Sequence, residues 1–263
     1  MLLKEKVVIV SGIGPGLGVK LAIEAAREGA RGVVAVARSA GKLEDAEQRV
    51  RALGTDCKVL KIPTDITDPL QCKRVAERTV AEFGRIDGLV NSAYFHGKFE
   101  SVAEPDLAEW QEVYRTNVIG SMQMTLAVVP QMKSQGGGAV VMVNTMATLK
   151  PYPGEAGYAA SKGALLSAAK YLAVELGPHN IRVNTSRPGW MWGHTVEGAL
   201  RMMAQAQGRT EQQVQDEIAA TKALKRIVTD DECAQATLFL VSDYASAITG
   251  AILDCNGGEV MPA

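Results

Sequence analysis

Tyr158 and Lys162 are the two side chains of this sequence whose types and spacing best suit acid–base chemistry. They stand four positions apart in AGYAASKGALL, a segment predicted to be helical, and therefore share one helix face. A tyrosine has an ordinary pKa of about 10, and an ammonium group beside it favours the phenolate. Such a tyrosine could donate a proton to a carbonyl oxygen or accept one from an alcohol. The pair predicts a site that interconverts the two.

The stretch VVIVSGIGPGLG near the N-terminus combines an aliphatic run with four glycines and a proline. A strand, a glycine-rich turn and a helix form a diphosphate site, because the helix N-terminus offers free N–H groups and the positive end of its dipole. Gly12 permits the tight turn, Gly16 lets the backbone approach a phosphate, and Gly18 lets the helix pack on the strand. Pro15 stiffens the tip of the loop. The stretch predicts a dinucleotide site.

The end of the second predicted strand bears on which dinucleotide binds. A site that prefers NAD(H) carries an acidic residue there, which accepts a hydrogen bond from the ribose 2′-hydroxyl. This sequence has Ala37 at that position, followed by Arg38 and Ser39. An arginine can pair with a 2′-phosphate, and Ser39 adds a hydroxyl. We therefore expect NADP(H) in preference to NAD(H).

The elements that must position these residues follow from the apolar pattern. Short β-branched runs alternate with helix-length segments, and several runs are apolar at nearly every position, as in strands buried on both faces. This order implies right-handed crossovers, so we predict an α/β fold, a doubly wound Rossmann-type parallel seven-stranded sheet with helices on both faces. The predicted strands lie at 7–10, 33–37, 59–62, 88–93, 139–145, 181–189 and 251–258.

No linker or internal repeat divides the sequence, so we predict a single dinucleotide-binding and catalytic domain over residues 1–263. The segment 190–225 interrupts the alternation of strands and helices. It carries Trp190, Trp192 and Met202, followed by an amphipathic helix around EQQVQDEIAAT. Because an insertion of this length in a compact domain is usually functional, we predict that it forms a lid over the substrate.

Composition excludes several classes of function. The formal net charge is −1 and no basic tract is present, which argues against nucleic-acid binding. Apolar segments are too short for a membrane span, and the N-terminus does not resemble a signal peptide. The four cysteines are scattered, as expected of reduced thiols in a cytoplasmic protein. Three histidines without ligand spacing predict no metal site.

Taken together, these motifs resemble the short-chain dehydrogenase/reductase family of the ordinary single-domain type, over essentially the whole length. The matching pieces are SGIGPGLG, the TD pair at 64–65, NSA at 91–93, TNVIG at 116–120, the Tyr158–Lys162 pair, RPG at 187–189 and ITGAILDCNGG near the C-terminus.

The resemblance implies roles for individual residues. Tyr158 would be the acid/base, Thr145 would orient the substrate oxygen, and Asn117 would hold a water that links Lys162 to a proton relay. Lys162 would also bind the nicotinamide ribose. The cofactor residues implied by the resemblance and the motifs are Gly12, Pro15, Gly16, Leu17, Gly18, Arg38, Ser39, Asp65, Ile66, Asn91, Ala93, Tyr158, Lys162, Pro188, Gly189 and Met191.

Three positions depart from the family pattern. Thr145 stands where serine is usual; it keeps the hydroxyl, but its methyl group narrows the pocket. Tyr94 replaces a glycine beside the nicotinamide end of the cleft. Gly193 replaces a threonine, so a contact to the cofactor amide is shifted or lost.

Substrate recognition is expected outside the cofactor motifs. Candidate side chains, mostly aromatic or apolar, are Tyr94, His96, Tyr152, Trp190, Trp192 and Met202. They favour a hydrophobic secondary alcohol or ketone, cyclic or acyl, as the small-molecule partner. A 3-ketoacyl-thioester reductase is an alternative, and a dinucleotide-sensing regulator without catalysis is another. The long helices around 116–134 and 159–176 resemble the family's subunit interface, which predicts a homotetramer, with a dimer second.

Overall fold

Seven parallel strands form one sheet in the computed structural model, which describes residues 1–261. The last two residues of the predicted domain lie outside the described residues. The strands are β1 (Val7–Ser11), β2 (Gly32–Ala37), β3 (Lys58–Pro63), β4 (Gly88–Asn91), β5 (Gly138–Val143), β6 (Ile181–Pro188) and β9 (Ile252–Cys255). Their order across the sheet is β3-β2-β1-β4-β5-β6-β9, so the order reverses beside β1. The predicted doubly wound topology is confirmed.

Helices cover both faces of the sheet. They are α1 (Leu17–Arg27), α2 (Ala40–Arg51), α3 (Pro69–Phe83), α4 (Leu107–Tyr114), α5 (Ser121–Ser134), α6 (Ala156–Leu176), α7 (His194–Gln207), α8 (Glu211–Ala220) and α9 (Asp230–Val241). A π-helical segment, Arg115–Gly120, joins α4 to α5. Helices α1, α2 and α9 supply one hydrophobic core and α3, α5 and α6 supply the other.

Strand β1 illustrates why these sequences form a central sheet. All five of its residues are buried. Val8 and Val10 pack into the core on one face, whereas Val7 and Ile9 pack into the core on the other. Successive side chains of a strand point to opposite faces, so a continuous apolar run is what a strand between two helical layers requires.

The segment after β6 differs from the single helix predicted for the lid. It contains both α7 and α8, and a short strand β7 (Met191–Trp192) pairs in parallel with β8 (Val228–Thr229). The two helices enclose a small core of their own around Leu200, Ala204, Val214 and Ile227, against which Trp192 packs. The β7–β8 pair joins the two ends of this segment to each other and packs against helix α9. The first of these helices, α7, was not predicted, because its apolar residues are divided between this local core and the cleft, which Val196 and Ala199 line.

Candidate active site

A cleft of about 1210 Å³ lies along the carboxyl ends of the strands. Its lining includes residues that directly follow β1, β2, β3, β4, β5 and β6, namely Gly12, Arg38, Thr64, Ser92, Asn144 and Gly189. In doubly wound folds, ligands bind at this edge, where the strand order reverses. The predicted cofactor and catalytic motifs therefore meet in one place.

The glycine loop between β1 and α1 has no room for side chains at two of its positions. Gly12 has a φ of +103°, and a Cβ there would lie 2.2 Å from the backbone nitrogen of Ala93. A Cβ on Gly18 would lie 2.1 Å from the carbonyl oxygen of Gly12. These two glycines thus serve the turn and the helix packing that the sequence predicted.

Gly16 has a different surrounding, which bears on ligand binding. A Cβ at Gly16 would meet only the Thr195 hydroxyl at 3.6 Å, an ordinary contact. Gly16 also precedes α1 as its N-cap, and no side chain caps the first turn of this helix. The free N–H groups and the dipole of α1 therefore face the cleft and suit an anion. Pro15 and Leu17 line the cleft on either side of Gly16.

The far end of the cleft carries positive charge. Arg38 and Ser39 line it after β2, together with Lys42 and Arg115, which sequence reasoning missed. The Asp65 carboxylate accepts hydrogen bonds from the Thr67 N–H at 2.9 Å and from the Thr67 hydroxyl at 2.8 Å.

These contacts, with smaller contributions from Arg38 and Arg115, hold the pKa of Asp65 below its usual value. Asp65 is therefore held ionised beside two arginines, and Ile66 also lines this part of the cleft. This end of the cleft suits an adenosine group that carries a phosphate.

Tyr158, Lys162 and Thr145 meet at the opposite end, which is lined by Pro188, Gly189 and Met191 as well. Tyr158 and Lys162 lie on α6, and Thr145 follows β5, where its hydroxyl accepts a hydrogen bond of 3.2 Å from the Ala147 N–H. The Lys162 ammonium lies 5.9 Å from the centre of the Tyr158 ring. The predicted catalytic group is thus assembled from two elements.

Burial dominates the ionisation of this pair. It raises the pKa of Tyr158 above the usual value, Tyr94 adds to the rise, and the Thr145 hydroxyl opposes it. Burial also lowers the pKa of Lys162 to about 7. From the sequence, the Lys162 ammonium was expected to favour the Tyr158 phenolate. In the structure this is not met by Lys162 alone, because burial disfavours the charged forms of both side chains.

Asn117 lies in the π-helical segment and is fully buried. Its amide donates to the Ser161 hydroxyl at 2.9 Å and to the Phe95 carbonyl at 3.0 Å, and it accepts from the Phe95 N–H at 2.7 Å. Asn117 therefore fixes the loop after β4 to helix α6 rather than lining the cleft. π-Helical turns often occur at functional sites, and this one points the Asn117 amide inward.

Besides Asn117, three predicted site residues do not face the cleft. The Asn91 amide points toward helix α5, where it donates a hydrogen bond to the Thr125 hydroxyl at 3.0 Å. Trp192 packs into the core of the lid, and the side chain of Met202 is 68% exposed. Alternation along β4 explains Asn91, because it shares the face of Leu89, which packs into the core beneath the sheet. Ser92 and Ala93 follow the end of β4 and line the cleft instead.

Aromatic side chains surround the Tyr158 end of the cleft. The His96 ring stacks on Tyr158 at a centroid distance of 4.6 Å and on Phe99 at 4.3 Å. Tyr94 lies 6.0 Å from Tyr158, and its side chain is 52% exposed. Because His96 stacks on Tyr158 and lines the cleft, it forms part of the wall beside Tyr158.

The charge of His96 depends on a residue that was not predicted, Glu155, whose carboxylate lies 3.7 Å from the His96 Nε2. Burial disfavours the imidazolium, but Glu155 and the Gly97 carbonyl outweigh it and raise the pKa of His96. Glu155 comes three residues before Tyr158, and nothing in its local sequence marks it as part of the site.

On the lid side, Tyr152 and Trp190 line the cleft and meet edge to face, with ring centres 6.5 Å apart. The replacement of threonine by Gly193 also has a steric reason here. A Cβ at Gly193 would lie 2.4 Å from the Asp230 carboxylate, so a larger residue would force the Asp230 side chain to move. Thr195 lines the cleft two residues later and brings its hydroxyl close to Gly16. A hydroxyl group thus lines the cleft two positions further along the chain.

The cleft fits a dinucleotide. The open space above Gly16, the uncapped N-terminus of α1 and the cationic far end match a diphosphate and a phosphorylated ribose. A tyrosine at the other end, a residue type that can transfer protons, matches a nicotinamide and its substrate. Within residues 1–261, no group of His, Cys, Asp and Glu side chains could hold a metal ion. Fold and site together define a dinucleotide-dependent oxidoreductase.

Comparison with known proteins supports this class. Residues 12–259 match the family model described as Enoyl-(Acyl carrier protein) reductase. Levodione reductase from Leifsonia aquatica is 30% identical over 97% of this chain and 94% of its own length. The 3-oxoacyl-[acyl-carrier-protein] reductase FabG from Thermotoga maritima is 32% identical over 99% of this chain and 100% of its own length.

Solved structures agree with these relatives. L-Sorbose reductase from Gluconobacter frateurii, in complex with NADPH and L-sorbose, superposes with a TM-score of 0.92 at 28% identity and covers 100% of this chain and 99% of its own. A xylitol dehydrogenase bound to NAD+ superposes with a TM-score of 0.88 at 29% identity and covers 98% of this chain and 100% of its own. The chain belongs to the short-chain dehydrogenase/reductase family and is an NAD(P)-dependent oxidoreductase.

Proposed function

We propose that this enzyme is an NADP(H)-dependent oxidoreductase that interconverts a hydrophobic secondary alcohol and its ketone. The observation that supports it most is the meeting of Tyr158, Lys162 and Thr145 at one end of a cleft. The other end of the same cleft carries Arg38, and the glycine loop lies between them. The nicotinamide, when bound, would supply or accept the hydride.

Each residue of the catalytic group has a distinct role in this proposal. Tyr158 donates the proton to the ketone oxygen or accepts it from the alcohol. The Thr145 hydroxyl orients and polarises the same oxygen. Lys162, which is held against β5 by its hydrogen bond to Val143, would bind the nicotinamide ribose. Asn117 supports the proton relay by holding helix α6 and the loop after β4 together.

Three side chains support the preference for NADP(H). Arg38 follows β2 where an acidic residue would favour NAD(H), and Lys42 lines the same end of the cleft. Together they offer a 2′-phosphate more positive charge than the single arginine predicted from the sequence, whereas the nearby Arg115 is paired with Glu112. Ser39 begins helix α2 without capping it, which leaves its hydroxyl free to bind a phosphate oxygen.

The substrate end supports an apolar molecule. Tyr94, Phe99, Tyr152 and Trp190 all line it, and His96 stacks between Phe99 and Tyr158. The similarity to FabG keeps a 3-ketoacyl-thioester substrate as a second candidate. The complete Tyr158–Lys162 pair opposes a regulator without catalysis, and its spacing of four residues opposes enoyl reduction.

Binding and turnover measured separately test the proposal. Calorimetric titration with NADPH and NADH comes first, and we expect tighter binding of NADPH. Cyclohexanone, ethyl acetoacetate and an acetoacetyl thioester are then tested by the absorbance of the reduced dinucleotide. Faster turnover of cyclohexanone is the expected result. A clear preference for NADH would overturn the role of Arg38, and preference for the thioester would favour the second candidate.

We also propose that the enzyme is a cytoplasmic homotetramer, with a dimer as the second possibility. Leu126 on α5 and Tyr171 and Val174 on α6 are more than half exposed, which suits a subunit interface on these helices. The four cysteines are free thiols, which suits a reducing compartment. Among residues 1–261, no helix is both long enough and apolar enough to span a bilayer. Size-exclusion chromatography with light scattering measures the number of subunits.

A further inference from the structure

Glu259 is a buried carboxylate that contacts three side chains from two separate parts of the chain. One carboxylate oxygen, Oε1, accepts a hydrogen bond of 2.8 Å from Lys150 and one of 3.0 Å from the Tyr152 hydroxyl. The other, Oε2, accepts from Lys222, whose side chain is fully buried. Only 3% of the Glu259 side chain is exposed. The carboxylate therefore joins the loop after Thr145 to the residues that follow the second lid helix.

The turn that carries Glu259 is itself firmly held. The Asn256 side-chain oxygen accepts hydrogen bonds from the N–H groups of Gly258 at 2.8 Å and Glu259 at 3.2 Å. On its other side, the Gly257 carbonyl accepts from the Leu224 N–H at 3.1 Å. The turn thus packs against the segment that follows the second lid helix. The backbone at Glu259 is therefore held in place relative to the side chains that Glu259 contacts.

Tyr152 connects Glu259 to the cleft. Its ring lines the substrate end and meets Trp190 edge to face, whereas Glu259 itself does not line the cleft. The hydroxyl of Tyr152 has its hydrogen-bond partner in Glu259, and the Lys150 ammonium lies 5.6 Å from the ring centre. Loss of the carboxylate would free the Tyr152 ring to turn and would leave the buried Lys222 without a counter-charge.

We propose that Glu259 is a positioning residue for the substrate: its carboxylate fixes the Tyr152 wall of the cleft and links that wall to the lid through Lys222. Substrate affinity and selectivity then depend on a residue that contacts neither substrate nor cofactor. The inference rests on the proposed function, because the Tyr152 wall is a substrate wall only if the enzyme reduces a carbonyl there.

A double-mutant cycle tests the proposal with cyclohexanone and ethyl acetoacetate as probes. Glu259→Gln and Tyr152→Phe should each raise the KM for cyclohexanone about tenfold, while kcat and the KM for NADPH stay within about threefold. The double variant should be no worse than either single variant. Glu217→Gln, which removes a carboxylate from α8 that pairs with Arg209, is the matched control and should leave KM unchanged.

Two kinetic results would overturn the proposal. One is an unchanged KM in Glu259→Gln, and the other is a double variant in which the two effects multiply, since both would show that Glu259 does not act through Tyr152. If Glu259→Gln does not fold, Glu259→Asp replaces it. The shorter carboxylate keeps a counter-charge for Lys222 but draws back from Tyr152, so it should still raise KM.

Hydrogen exchange gives a readout that needs no turnover. Glu259→Gln should speed amide exchange both in residues 150–152 and in residues 219–224, whereas Tyr152→Phe should affect only the first segment. Faster exchange in 219–224 alone would contradict the link to the Tyr152 wall. If wild-type enzyme reduces no probe, the proposed function fails, and the exchange result still decides whether Glu259 couples the lid to Tyr152.

Discussion

The ammonium group of Lys162 donates a hydrogen bond of 2.7 Å to the carbonyl oxygen of Val143, the last residue of β5. Only 2% of Lys162 is exposed, and within residues 1–261 no carboxylate lies within ion-pair distance of it. A buried ammonium without a carboxylate partner loses its proton easily. Burial accordingly lowers the pKa of Lys162 from 10.5 to about 7.

This shift predicts how the stability of the protein depends on pH. Between pH 7 and 10.5 the unfolded chain keeps the Lys162 proton and the folded chain does not, so the free energy of unfolding rises with pH. Lys162→Met should lack this contribution. The wild-type value minus the variant value should grow by about 1.4 kcal/mol per pH unit across this window. Urea titrations at several pH values measure it.

Lys170→Met provides the control for that measurement, because Lys170 is an exposed lysine on the same helix. It should follow the wild-type dependence on pH. A difference between wild type and Lys162→Met that stays constant from neutral to alkaline pH would show that Lys162 is not held in a desolvated state.

The glycine loop predicts opposite outcomes for two neighbouring substitutions. Gly16→Ala should fold normally, because its Cβ meets only the Thr195 hydroxyl at 3.6 Å, but it should block the approach of a diphosphate. Gly14→Ala should both fold and bind, because a Cβ there has no atom within 4 Å. We expect NADPH affinity to fall at least about tenfold in the first variant only. Equal affinities by calorimetry would place the diphosphate elsewhere.

Arg38 predicts the selectivity between dinucleotides. Arg38→Gln should weaken NADPH binding by about 10- to 100-fold, the value of a charge-assisted hydrogen bond, and should change NADH binding little. Arg49→Gln is the matched control, since Arg49 lies on α2 but pairs with Asp45 outside the cleft. Calorimetric affinities for NADPH and NADH show whether Arg38 sets the selectivity between them. An equal loss of affinity for NADPH and NADH in Arg38→Gln would show that Arg38 contacts a part of the cofactor that both dinucleotides share.

Thr145 predicts that the hydroxyl, rather than the methyl group, supports catalysis. Thr145→Val keeps the shape but removes the hydroxyl, so kcat should fall by about 10²- to 10³-fold, as for the loss of an oxyanion donor. Thr145→Ser should stay active and should accept larger ketones, because the pocket gains the volume of a methyl group. Steady-state kinetics with cyclohexanone separate the two variants, and full activity in Thr145→Val would remove Thr145 from the mechanism.

The sequence predicted the sheet, and it predicted that Tyr158 and Lys162 lie on one helix, because both features leave local signals. Each central strand is an apolar run, and Tyr158 and Lys162 are one helical turn apart. Asn91 was harder, because a shift of one residue along β4 decides whether a side chain faces the cleft or the core. Glu259 could not be predicted, since its partners lie 37 and 109 positions away along the chain and only the folded structure brings them together.

Tyr158→Phe tests the central claim most directly, because it removes one hydroxyl and keeps the ring that stacks on His96. Calorimetry should show an NADPH affinity within about threefold of wild type, while reduction of cyclohexanone should fall by at least about 10³-fold. This combination would assign proton transfer to Tyr158 in an otherwise intact cofactor site. Turnover comparable to wild type in Tyr158→Phe would contradict the mechanism.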